Sequence, residues 1–447
     1  MKLNVKDYGA VGDGFTNDTQ ALQNAVDACS SCEGTLVINP GVYLTGTIIL
    51  KSNIRIIIEK GAMLLGSSDF NSYKGDIRPF VDAVNQERGR CLIFGENLEN
   101  VTIEGFGGVN GRGAAFDESH PEHKRRPFLF RFYGCKDINI SDIQVLNSPA
   151  WCIHLQDCEN VRLSGLKIFS RVNHNNDGID IDGCSHITIE NCTVDTGDDG
   201  ICLKATGKRP CEHIKVESCI ISSRWAAFKI GTESYGDFKD IKFMNSRIYD
   251  TQGCGIKIVP VDGANVEDVL ISNISMNNCT GPIFIASGDR LRTYYRENEK
   301  KQSGKIKSIT IKDIKGDIVD AEGFYWNPGE MKGFVTHNGI WGDGKGGIVV
   351  SGTTKHKIED VILEDIDIAL PGGGTKKDTE KTEIIEMEDN YPEFHVFGVL
   401  PSSAFFLRHV NNIVLKNINL KFKSPEFRQP IFAIDVDGLK IKSVESM

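Results

Sequence analysis

Two acidic segments hold the residues best suited to chemistry. One reads Asn175-Asn176-Asp177-Gly178-Ile179-Asp180, the other Thr196-Gly197-Asp198-Asp199-Gly200-Ile201. Aligned on Asp-Gly-Ile, Asp199 falls opposite Asp177, 22 residues later. If the chain winds once between them, Asp177, Asp198 and Asp199 crowd a patch one coil high. Carboxyls that close raise one another's pKa, so one stays protonated while another is ionised. Cleaving a glycosidic bond needs that combination: an acid protonates the leaving oxygen and a base activates water. A calcium site or a solvated turn is the plainer reading, since a single Asp-Gly is a common turn. Three carboxylates in register behind Asn-Asn favour catalysis.

The positioning elements are legible as a repeat. A polar pair followed by alternating β-branched residues starts at Lys136, Glu159, Ser185, Glu212, Lys239 and Glu267, in steps of 23, 26, 27, 27 and 28. Further copies start at Lys307, Glu359 and Asn411. Period-two alternation means strand, and a step in the twenties means stacked similar units. The expected fold is all-β, a single-stranded right-handed parallel β-helix, with coils about 4.8 Å apart. Thr16-Asn17-Asp18-Thr19 followed by Ala21, Leu22, Ala25, Val26 and Ala28 predicts a capping helix that plugs the open end. Length alone would give about three domains. The repeat gives one, residues 1–447, with 1–50 as the cap region and 51–447 as coils carrying insertions at about 281–306, 320–357 and 371–400.

Composition narrows the partners. The net charge of −10 argues against nucleic acid, and no apolar run is long enough to cross a bilayer. The 13 cysteines are odd in number and MKLNVKDYGA has no apolar leader core, so free thiols in a cytoplasmic protein are expected. A secreted mature domain without its leader would look the same. Cys135, Cys158, Cys184 and Cys211 fall in register as a buried stack, with Cys184-x-His186 and Cys211-x-His213 as an alternative zinc site.

The neighbouring coils extend the acidic face. With Ile153, Ile179, Ile201, Phe228 and Ile256 inward, the next column outward is His154, Asp180, Cys202, Lys229 and Lys257, and beside it stand Trp151, Asp177, Asp199 and Ala226. Lys229 above Lys257 calls for an anion, either a uronate carboxylate of the substrate or Glu233. Arg290, Arg292, Tyr294, Tyr295 and Arg296 in one loop are suited to grip sugars, unless they are only a solvated crossing. Tyr325, Trp326, His337 and Trp341 mark the second insertion. The third runs from Pro371-Gly372-Gly373-Gly374 to Phe394-His395-Val396-Phe397-Gly398. Insertions of this length commonly wall a binding site.

At these residues the chain resembles glycoside hydrolase family 28, the polygalacturonase family of the pectin-lyase-like superfamily. His174 to Asp180 is similar to its Asn-Thr-Asp motif, with Asn176 for Thr, and Gly197-Asp198-Asp199 matches its Asp-Asp motif. Ser148 to His154 and Val5 to Gly14 resemble its cleft segment and N-terminal cap. The resemblance implies Asp198 as general acid, Asp177 and Asp199 as the water-activating pair, and inversion, with carboxyls about 6.5–9.5 Å apart. It implies a carbohydrate partner of galacturonate or rhamnogalacturonan type, bound through His154, Asn175, Asp180, Lys229, Glu233, Lys257, Arg290 and Arg292. No cofactor or metal is called for. Two motifs depart. The Gly-His-Gly region reads Ala226-Ala227-Phe228-Lys229, and Arg-Ile-Lys reads Gly255-Ile256-Lys257. Insertions closing one end of the groove would make the enzyme act from chain ends. A polysaccharide lyase, or a non-catalytic glycan-binding β-helix, are the alternatives on the same fold.

Overall fold

The computed structural model describes residues 1–75, 77–295, 298–299, 301–320, 347–386, 388–389 and 391–446, the side chain of residue 395 excepted. Arg296, Tyr325, Trp326, His337, Trp341 and the His395 side chain lie outside the described residues. The architecture is the expected all-β parallel β-helix, described here as two compact units, Met1–Asp198 and Asp199–Met447.

In the first unit the alternating pattern stacks like residue on like. Ile56, Ile103, Ile140, Leu163 and Ile189 pair in register up consecutive coils, and all are buried. Burying each such side chain contributes about 1.5–3 kcal/mol. The polar pair before each strand has its own cause. Its second residue, Asp137, Asn160 and His186 here and His213, Asp240 and Asp268 in the second unit, sits at φ between 49° and 58°. Short polar side chains bear that left-handed turn better than apolar ones. His186 and His213 therefore serve a turn. His213 pairs with Asp240 at 2.8 Å, and the Cys184 thiol points to the carbonyls of Leu155 and Asp182. Among the described residues no Cys–His group converges as a zinc site would require.

Helix α1, Thr19–Ser31, buries Leu22, Ala25, Val26 and Cys29 against the first coil. Asp18 precedes it, but its carboxylate accepts from Val11 N and Gly12 N (2.7 and 2.9 Å) rather than capping the helix. Asn17 Oδ1 instead takes the Thr19 amide at 3.0 Å. One insertion went unforeseen. Residues 67–90 carry an antiparallel hairpin, Phe80–Val81 with Glu87–Arg88, where the sequence shows no alternation long enough to signal a strand.

In the second unit Ile201, Phe228, Ile256 and Ile283 form the inward column. Lys229 lies in register with Lys257, as expected. The 371–400 insertion folds down onto the coils. Its short helix Phe394–Phe397 places Phe394 and Phe397 against Phe284, with ring centroids 4.4 and 6.1 Å away, in a cluster with Cys254, Val349, Leu400 and Phe406.

Candidate active site

Asp177 closes a loop whose shape is set by Asn176. The Asn176 Oδ1 accepts from Val172 N and Asn173 N (2.9 and 2.8 Å), and its Nδ2 donates to Ser148 O and Ala150 O (2.8 and 3.0 Å). A threonine hydroxyl could not span these four groups, which accounts for Asn at this place. Asp177 is buried and Asp198 is partly exposed, and one oxygen of each lies within 4.8 Å of the other. That is the approach of single oxygens, whereas the expected separation of about 6.5–9.5 Å is between whole carboxyl groups. Asn175, at φ 49°, donates from Nδ2 to Asp198 Oδ2 at 3.3 Å. Asp199 follows as the next residue in the chain.

Around Asp198 the first unit places four residues that the sequence reading missed. Arg88 is fully buried, with Nε on Asp82 Oδ2 at 2.8 Å. Its Nη2 and the Gln86 Nε2 both donate to Asn175 Oδ1, at 3.3 and 3.1 Å. Arg126 holds Gln86 Oε1, Pro149 O and His174 O. Burial, seconded by Arg88, pulls the Arg126 guanidinium down to about 9, while Asp82, Asp177 and Asp198 act to raise it. The only trace of these residues in the sequence is the basic run His123-Lys124-Arg125-Arg126, which matches no motif.

The hairpin also corrects two expected sugar contacts. His154 and Asp180 pair in register as predicted, yet both are fully buried. The His154 ring packs among Phe80, Phe128 and Trp151, with centroids 5.1–5.6 Å away. Phe80 comes from the unforeseen hairpin, so the column that faces outward from the coils does not face solvent. His154 and Asp180 thus pack beneath the surface instead of lining it.

In the second unit Asp199 Oδ2 accepts from Lys229 Nζ at 2.8 Å and its Oδ1 from Ala226 N at 3.2 Å. Burial opposes the Lys229 charge, but Asp199 and then Tyr391 more than offset it, so the ammonium is held well above its ordinary range. The Tyr391 hydroxyl is 3.0 Å from Lys229 Nζ. Lys257 pairs with Glu393 and lies 5.0 Å over the Trp225 ring. Here too burial is outweighed by the carboxylate, and the Lys257 pKa is raised. The two stacked lysines are thus neutralised by Asp199 and Glu393, not by Glu233. Glu233 belongs to Lys204 at 3.3 Å. Burial pushes its carboxyl up, while Lys204, Lys229 and Arg290 bring it down to about 2.

Arg290 is committed to Asp262, through Nε at 2.8 Å and Nη2 at 2.5 Å, and to the Tyr294 hydroxyl. Arg292 lies 5.2 Å over the Tyr294 ring. Of the eight expected sugar-binding residues, Asn175, Arg290 and Arg292 keep partial exposure. His154, Asp180, Lys229, Glu233 and Lys257 are buried.

The family model for glycosyl hydrolases family 28 matches residues 33–343. The chain belongs to glycosyl hydrolase family 28. A probable polygalacturonase of Vitis vinifera aligns with this family 28 chain at 31% identity over 296 residues, 60% of each chain, so the match spans well under two thirds of that relative. Among solved structures, the family 28 exopolygalacturonase of Yersinia enterocolitica superposes with a TM-score of 0.76 at 18% identity, over 99% of this chain and 79% of its own. An exopolygalacturonase of Thermotoga maritima gives 0.67 at 23%, over 83% and 87%. At these identities both attest the fold.

The two departures from the family 28 motifs have local causes. A Cβ at Gly255, where the family has Arg, would meet Met276 Sδ at 2.9 Å and Pro282 O at 3.0 Å, so a side chain there requires its neighbours to shift. On the coil where the family has a His, Lys229 supplies the cation that reaches Asp199. Carboxylates as close as Asp177 and Asp198 also suit a cation. The Lys229 ammonium already seated on Asp199 opposes a second cation at that residue.

Proposed function

We propose that the protein hydrolyses glycosidic bonds in pectin-derived saccharides of galacturonate or rhamnogalacturonan type, working from chain ends with inversion. The observation that carries this is the unequal surroundings of neighbouring carboxyls. Asp199 is tied to an ammonium and Asp177 is buried, while Asp198 is partly open and accepts from Asn175 at one of its oxygens. Asp198 is then the proton donor to the leaving oxygen. Asp177 and Asp199 hold the attacking water and take its proton. The segment 391–397 supports end-on action, because Tyr391 and Glu393 cover Lys229 and Lys257 within the second unit. Inversion rests on the motif resemblance, and the Asp177–Asp198 distance does not select it.

The test is a panel of defined pectic oligosaccharides, with products read by mass. Loss of one terminal residue per turnover is expected. Random internal fragments would remove the end-on reading. An unsaturated product absorbing in the ultraviolet would replace hydrolysis by elimination. Proton NMR of the first turnovers decides stereochemistry, since inversion of an α-linked substrate releases the β anomer first.

A further inference from the structure

The hairpin cation Arg88 makes no contact with a reacting atom in the scheme above. It nevertheless carries a burden, because among the described residues its Nη1 is buried without a hydrogen-bond partner. Such a group costs stability on the order of 1–3 kcal/mol. The rest of the guanidinium is committed, Nε to Asp82 and Nη2 to Asn175, and the second of these leads toward Asp198.

A guanidinium can only donate. The Asn175 atom 3.3 Å from Arg88 Nη2 must therefore be the carbonyl oxygen. The second donor to that oxygen is fixed in the same way. Arg126 Nη1 donates to Gln86 Oε1 at 3.2 Å, so Gln86 presents its NH2 to Asn175. With Oδ1 held twice, Asn175 has only its NH2 to offer Asp198 Oδ2. That oxygen is then an acceptor, and because the carbonyl oxygen of a neutral carboxyl is the better acceptor, the contact favours the Asp198 proton on Oδ1. Asp82 anchors the assembly. Its Oδ2 takes Arg88 Nε, and its Oδ1 takes the amides of Val84 and Gln86 at 3.0 and 2.9 Å.

We infer that Arg88 is a positioning residue for proton donation, fixing through Asn175 which oxygen of Asp198 carries the catalytic proton. The inference rests on the role given to Asp198 above. In the step concerned, the proton on Asp198 Oδ1 passes to the glycosidic oxygen as the bond from that oxygen to the anomeric carbon breaks. Water forms the new bond to carbon and gives its proton to the Asp177–Asp199 pair. Losing Arg88 leaves Gln86 to hold Asn175 Oδ1 without it, so the amide is fixed less firmly toward Asp198 and the choice of protonated oxygen loosens.

The experiment compares two leaving groups. On an oligosaccharide, whose alcohol must be protonated, Arg88→Gln is expected to lower kcat at least about tenfold with KM within about twofold. On the p-nitrophenyl glycoside of the same terminal sugar, whose phenolate leaves unprotonated, kcat should stay within about threefold of wild type. Arg88→Lys, which keeps a cationic donor, should recover most of the loss. Equal losses on both substrates, or none on either, would overturn the inference. If circular dichroism shows Arg88→Gln unfolded, Gln86→Leu, which removes the other donor to Asn175 Oδ1, is held to the same criterion. Asp198→Asn separates the two readings. Turnover retained in that variant removes the proposed function, whereas a leaving-group-dependent loss there and in neither of the other variants removes only the role of Arg88.

Discussion

At the scale of the residue, the decisive feature is how buried charges are partnered. Lys229 is the counter-ion of Asp199, and both are almost wholly buried. Replacing Lys229 by Met leaves an uncompensated carboxylate, which should cost about 3–5 kcal/mol in urea unfolding and reduce kcat as well. Glu233 gives a pH signature. Its folded pKa of about 2 lies below the ordinary 4.5, so its ion pairs stabilise the fold above pH 4.5, and this contribution is lost as pH falls toward 2. The shift corresponds to roughly 3 kcal/mol. In Glu233→Gln, the melting temperature should lie below wild type at neutral pH, with the gap closing between pH 4.5 and 2. A constant gap would contradict the assignment. The three aspartates were legible in the sequence because their motif is local. Arg88, Gln86 and Arg126 were not, because Arg88 and Gln86 reach Asp198 through Asn175 and Arg126 holds Gln86, and no spacing in the chain encodes that path.

At the scale of the element, the repeat announced strands and register correctly. Ile153 with Ile179 and Lys229 with Lys257 are paired as the alignment required. What alternation cannot report is whether an outward column meets water. The 67–90 hairpin and the 391–397 segment are irregular in sequence, and they pack on His154 and on Lys229 and Lys257, three of the five expected sugar contacts that are buried. The turn residue of each coil is a separate case, argued from its backbone. Asp268 sits at φ 58°. Asp268→Val should destabilise by about 1–2 kcal/mol in urea unfolding, while Asp268→Gly should cost little beyond its entropy. Equal effects of the two would show that the left-handed turn is not what selects Asp there.

At the scale of the whole molecule, the cysteines offer a broad check on the fold. All 13 are free, and only Cys32 is exposed. Burial raises the Cys91, Cys152 and Cys279 thiols to about 12, which keeps them unreactive. Ellman's reagent should find one fast thiol in the native protein and all 13 after denaturation. Several fast thiols in the native state would mean that the coils are not closed. The acid–base assignment is tested most directly by Asp198→Asn, assayed for reducing ends on the oligosaccharide that wild type cleaves best. The account predicts a fall in kcat of about 10²–10⁴-fold, with the circular dichroism spectrum and oligosaccharide affinity retained. Turnover within about tenfold of wild type in a folded Asp198→Asn protein would contradict it.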